Sequence, residues 1–152
     1  MKISIETIPH HLQRYDTCGD WVFEHETNIA SCVESIRDNK PLPELEEILK
    51  INISETGNED SNFLIAVHEL IEAYLCKKAG ITGEQVDQWD MNFKSEGEPG
   101  DDPYCPYRNE HTIASYIEVQ TARYLGISPE KHEGNIKALV YPEKENESPM
   151  AL

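Results

Sequence analysis

An α+β fold, with a small N-terminal antiparallel sheet packed on three or so helices, is what the sequence predicts, and three observations lead there. Alternating and apolar short runs suited to strands, Lys2 to Ile8 and Trp21 to Phe23, come before any long helical pattern. The stretch Asn62 to Lys78 is the most continuous apolar run in an otherwise polar chain. Two further segments of helical spacing follow it, from Thr82 or Gly83 to Phe93 and from Asn109 to Leu125.

The first strand, Lys2 to Ile8, sets Ile3, Ile5 and Thr7 on one side and ends at Pro9; His10 and His11 follow in a solvated turn. Asp16 to Asp20 turns around Cys18-Gly19. Trp21-Val22-Phe23 opens a second strand, and the polar cluster Glu24 to Thr27 returns the chain into a third, Asn28 to Val33, as a hairpin. After Pro41 and Pro43, the leucines and isoleucines of Leu42 to Ile51 fall at helical spacing and predict a short helix. Ser54 to Ser61 is a polar loop whose Asp60 or Ser61 caps the central helix.

That helix is apolar almost all round, as in the centre of a domain, and ends at Lys77-Lys78 with Gly80 behind. In the next, Val86, Trp89 and Phe93 are core. Pro99-Gly100 suits a type II turn within the acid-rich loop Glu96 to Tyr107, which forms one wall of a cleft; Asp101 and Asp102 order that turn or offer a cation site. The third long helix closes at Gly126. Its stripe of His111, Ala114, Ser115, Glu118, Ala122 and Leu125 includes small residues that permit close packing. After Ile127 the periodicity is lost.

The 152 residues suit one domain over 1–140, with a disordered tail at 141–152. The formal net charge of -16 argues against direct nucleic-acid binding, which needs a basic surface. No run reaches membrane-span length and no apolar signal segment opens the chain, which predicts a soluble, cytoplasmic protein. Cys18, Cys32, Cys76 and Cys105 form no C-x-x-C pair and read as free thiols.

Chemistry concentrates in the central helix. His68 and Glu72, at i and i+4, stand about 6 Å apart on one face and can address one ion. Glu69 is rotated by about 100°, where it reaches a water rather than the ion, the place of a general base. His68-Glu69-x-x-Glu72 resembles the His-Glu-x-x-His helix of the zincin metallopeptidases, with Glu72 replacing the second histidine. The resemblance implies one zinc per chain, a peptide or protein substrate, and an edge strand along the cleft able to pair with extended substrate. His111 is the best third ligand, completing two imidazoles and one carboxylate, a set known from catalytic zinc sites. Glu118, two turns on, would hold an imidazole tautomer, with Glu110 a weaker candidate. Tyr104, Tyr107 and Tyr116 are candidates for stabilising an oxyanion, and Cys76 for an alternative ligand.

Two other readings compete. Glu69-Leu70-Ile71-Glu72 and Glu84-Gln85-Val86-Asp87 resemble the E-x-x-E and E-x-x-D pair of the MazG nucleotide pyrophosphohydrolases, which implies magnesium and a triphosphate. The acidity, in a chain resembling short phage proteins, also suits a non-enzymatic decoy that presents carboxylates to a basic partner.

Overall fold

The computed structural model describes residues 1–139; the tail expected at 141–152 lies outside them. The fold is α+β: among the described residues, a three-stranded mixed sheet and five α-helices. The strands are β1 (Lys2–Ile8), β2 (Gly19–Glu26) and β3 (Glu46–Ser54). The helices are α1 (Ile29–Arg37), α2 (Glu59–Ala79), α3 (Gly83–Asn92), α4 (Arg108–Leu125) and α5 (Pro129–Lys137). No helix among the described residues is long and apolar enough to cross a membrane.

The sheet order is β1-β3-β2. β1 runs parallel to β3, from Lys2 opposite Ile48 to Ile8 opposite Ser54, and β2 antiparallel to it, from Gly19 opposite Ile53 to Glu26 opposite Glu46. The sheet is therefore mixed rather than antiparallel, and β2 pairs with β3 instead of with the segment that follows it. That segment is the helix α1, not a third strand. Asn28 accepts from the Ser31 backbone N–H, and Ile29, Cys32, Val33 and Ile36 recur at helical period.

The short helix expected over Leu42 to Ile51 is instead mostly β3. Read on to Ser54, the chain alternates Leu49, Ile51 and Ile53, all buried, while Leu42 and Leu45 remain exposed outside the strand. As the central strand, β3 supplies the middle of an apolar core that joins Trp21, Ile65, Ala73, Cys76, Val86 and Tyr107.

α2 contacts β2 and β3 and packs most extensively against α4. Its N-cap is Asn58, which accepts from Ser61 N–H, so the cap lies just before the residues expected for it. Gly80 closes it in the left-handed conformation, at φ 75°. α2 is not enclosed all round: Phe63 and Tyr74 are exposed, while Ser61, Ile65, Glu69, Glu72 and Cys76 form the buried stripe. The helix thus buries two of its four acids, Glu69 and Glu72, on its packed face. Pro99-Gly100 opens a short 3-10 turn, Pro99–Asp101, rather than a type II turn, and α5 begins where sequence periodicity fades, capped by Ser128 with Pro129 at its first position.

Candidate metal centre

Glu72, on the buried stripe of α2, is the hub of the centre. Its Oε1 accepts from the Trp21 indole N–H of β2 at 3.1 Å, which leaves Oε2 for the other side. Oε2 lies 2.8 Å from His111 Nδ1 and 3.3 Å from His68 Nε2, and these two nitrogens are 3.3 Å apart. Three donor atoms from two helices therefore converge as a triangle. Their residues are nearly enclosed, Glu72 and His111 at 6% exposure.

The opposite nitrogen of each imidazole meets a carboxylate. His68 Nδ1 is 2.7 Å from Glu118 Oε2; an ionised carboxylate only accepts, so Nδ1 carries the proton and Nε2 faces the triangle. His111 Nε2 is 3.5 Å from both Glu98 and Asp101, on the loop of the 3-10 turn. Glu118 Oε1 in turn accepts from His132 Nε2 at 2.7 Å. His132 Nδ1 is then free to accept from the Ser61 hydroxyl at 3.0 Å, while Asn135 Nδ2 donates to Ser61 Oγ at 2.8 Å. A continuous chain of buried and half-buried side chains from α5 thus fixes the tautomer of His68.

Electrostatics follow the same pattern. Burial works to raise the Glu72 carboxyl, but hydrogen bonds from His111 and His68 outweigh it and hold it low. Burial would lower both imidazoles; the bonds to Glu118 and Glu72 leave His68 well above its ordinary value, and those to Glu72 and Glu98 bring His111 to about 9. Glu69 is different. Burial first, then the charge of Glu72, pushes its carboxyl up, and it has no hydrogen-bond partner among the described residues.

Two glycines make room for this. A Cβ on Gly19 would stand 2.3 Å from Glu69 Oε1, and one on Gly100 would stand 2.4 Å from the His111 ring. Neither was marked by the sequence as more than a turn residue.

The centre opens on a cleft of about 320 Å³ walled by the loop and start of β2, by α2, by the 3-10 turn and by α4. His68, Glu69, Glu72, His111 and Glu118 all line it. Of the three tyrosines, Tyr107 does too, its hydroxyl bonded to Asp90, whereas Tyr104 and Tyr116 are exposed and outside it. Cys76 lies in the apolar core and His10 bonds to Ser54 rather than standing in solvent. Glu84 is exposed and accepts from Gln88; Asp87 is paired with Arg14. Neither falls into a metal-binding group with Glu69 and Glu72 among the described residues.

Sequence reading did not find His132, Trp21 or the support of His111 by Glu98. The Ser128-Pro129 pair was the available signal for α5, and hence for His132. Compared with known protein families, curated proteins and solved structures, the chain matches none.

Proposed function

We propose that the chain is a small zinc-dependent hydrolase of zincin-like, peptidase type, with His68, Glu72 and His111 as metal ligands and Glu69 as general base. The observation that carries it is the donor triangle, with edges of 2.8, 3.3 and 3.3 Å. A tetrahedral ion bound at about 2.0–2.1 Å needs neighbouring donors about 3.3 Å apart. The outward N–H of each imidazole faces a carboxylate, the arrangement that holds histidine ligands in place. Two imidazoles favour zinc over magnesium, which prefers an all-oxygen shell.

Bound zinc supplies Lewis acidity and lowers the pKa of water at the site. The residues do the rest. Glu69, nine-tenths buried and without a hydrogen-bond partner among the described residues, would take the proton of the attacking water and return it to the leaving group. Glu118 keeps the His68 Nδ1 proton where it is, so His68 offers Nε2 alone. Trp21 keeps Glu72 to one oxygen. The MazG-like reading loses ground because Glu84 and Asp87 are engaged elsewhere, and the decoy reading gives no role to acids buried on α2.

Elemental analysis of protein purified without added metal or chelator tests the site: about one zinc per chain is expected, and none in His68→Ala. Glu69→Gln should keep the zinc and lose about 10²–10⁴-fold in hydrolysis of a peptide library. A metal-free wild-type protein that takes up no added zinc would defeat the proposal.

A further inference from the structure

Among the described residues, the cleft is lined by eight acidic side chains and by no lysine or arginine. Arg14, outside the lining, binds Asp20 and Asp87 together and so offsets one charge of two. A dication at the donor triangle would offset Glu72 and Glu118. Asp90 adds a further carboxylate to the lining, with Asp16 and Glu98 at the mouth. The space in front of the centre is therefore anionic with or without metal, and low solvent access strengthens its field.

A groove of about 370 Å³ adjoins the cleft and shares Tyr15, Asp16, Asp90 and Pro99 with it. Its further walls include Met91 and Phe93. Apolar and aromatic walls with carboxylates among them match a side chain that has an alkyl stem and a cationic head. Asp90 is held in place by two phenols: Tyr15 donates to its Oδ2 at 3.2 Å, and Tyr107 donates to its Oδ1. A carboxylate so fixed gives a cation a preorganised partner, whereas Asp16, 91% exposed, adds a solvated charge at the rim.

We infer that this groove is a subsite for a lysine or arginine side chain of a peptide whose backbone lies in the adjoining cleft. The inference deepens the peptidase reading and rests on it for the substrate class, but the groove itself is defined by Tyr15, Asp90 and Phe93 without reference to the metal.

The test uses fluorescein-labelled alanine-glycine nonapeptides, acetylated and amidated at their ends, that differ only in a central lysine, norleucine or glutamate. Anisotropy titrations of the zinc-treated full chain should show the lysine peptide bound about tenfold or more tighter than norleucine, with glutamate weakest and the preference fading at high salt. Asp90→Asn should bring lysine to within about twofold of norleucine. Because that variant can also disturb the two tyrosines, Asp16→Asn, on an exposed side chain, provides the second reading and should cost about two- to threefold. Glu6→Gln, on β1 and outside both cavities, should leave the preference unchanged. Equal behaviour of lysine and norleucine peptides, or a preference that Glu6→Gln reduces as much as Asp90→Asn does, overturns the inference. Lysine-selective binding without cleavage of any peptide would count against the hydrolase reading and leave the subsite standing.

Discussion

The two histidines of the centre are supported in opposite ways. His68 is held from inside, by Glu118 and then by His132, Ser61 and Asn135, through bonds of 2.7 to 3.0 Å between side chains that α2, α4 and α5 bury or half-bury. His111 is held from outside, by Glu98 and Asp101 at 3.5 Å, whose side chains are 67% and 71% exposed. The same function, keeping an imidazole N–H occupied, is thus carried once by a packed network and once by a solvated loop. Packed networks resist change but are costly to break, whereas loop carboxylates are screened and replaceable. His68 is therefore the fixed point of the site and His111 the side that can adjust.

Five measurements test that contrast. The largest effect is expected of His68→Ala, which should abolish zinc binding in competition with a chromophoric chelator, a loss of about a thousandfold or more for removal of one of three ligands. Retained binding would make His68 dispensable and end the comparison. Glu118→Gln should lower zinc affinity by about 10–100-fold in the same assay, because both its imidazole partners lose their anion.

Gly100→Ala probes the outer side by packing. Its Cβ must displace the His111 ring or the loop, and overpacking of this kind costs about 1–3 kcal/mol, read from urea unfolding. A cost near zero would show the loop to be softer than its fit against His111 suggests.

The pH dependence carries the same contrast into stability. His111 is raised to about 9 in the metal-free fold, so its protonation stabilises the protein fully below the unfolded value of about 6.5 and less as pH rises through 9. Glu69, also raised, adds with the same sign. The metal-free protein should lose several degrees of Tm between pH 7 and 9.5, and the zinc-loaded protein should not; a metal-free Tm that rises over this range would contradict the assignment. The smallest effect belongs to Glu98→Gln: a few-fold loss of zinc affinity at low salt, with Asp101 still in place, that shrinks as ionic strength rises. An effect equal to that of Glu118→Gln would erase the distinction between inner and outer support.

What could be read from the sequence follows chain distance. His68, Glu69 and Glu72 share one helix, where spacing alone puts them together. His111 and Glu118 share a stripe of α4, so once one is set against α2 the other follows. Trp21 and His132 meet the centre across 51 and 14 residues, through strands and a helix whose pairing no local pattern reveals. The reading of residues 28–33 as a strand failed because β-branched residues with turn chemistry before them resemble the far arm of a hairpin; the N-cap of Asn28 decided for a helix. The reading of residues 42–51 as a helix failed because ending the window at Ile51 hid the alternation that Ile53 completes. Parallel pairing of β1 with β3 was invisible for the same reason: it depends on a crossover, not on either strand.

The chain from Asn135 to Glu72 also governs when the site can exist. Its members run from Ser61 to Asn135, 74 residues apart, and contacts so remote in sequence close only after the intervening loops have given up their freedom. An isolated α2 segment carries two of the three donors, yet neither the indole that restricts Glu72 nor the anion that sets the His68 tautomer. During synthesis His68 acquires its full support only once residues beyond Asn135 have emerged. Under the proposed function, metal capture would therefore be a late event, coupled to completion of the whole fold rather than a nucleus from which the fold grows.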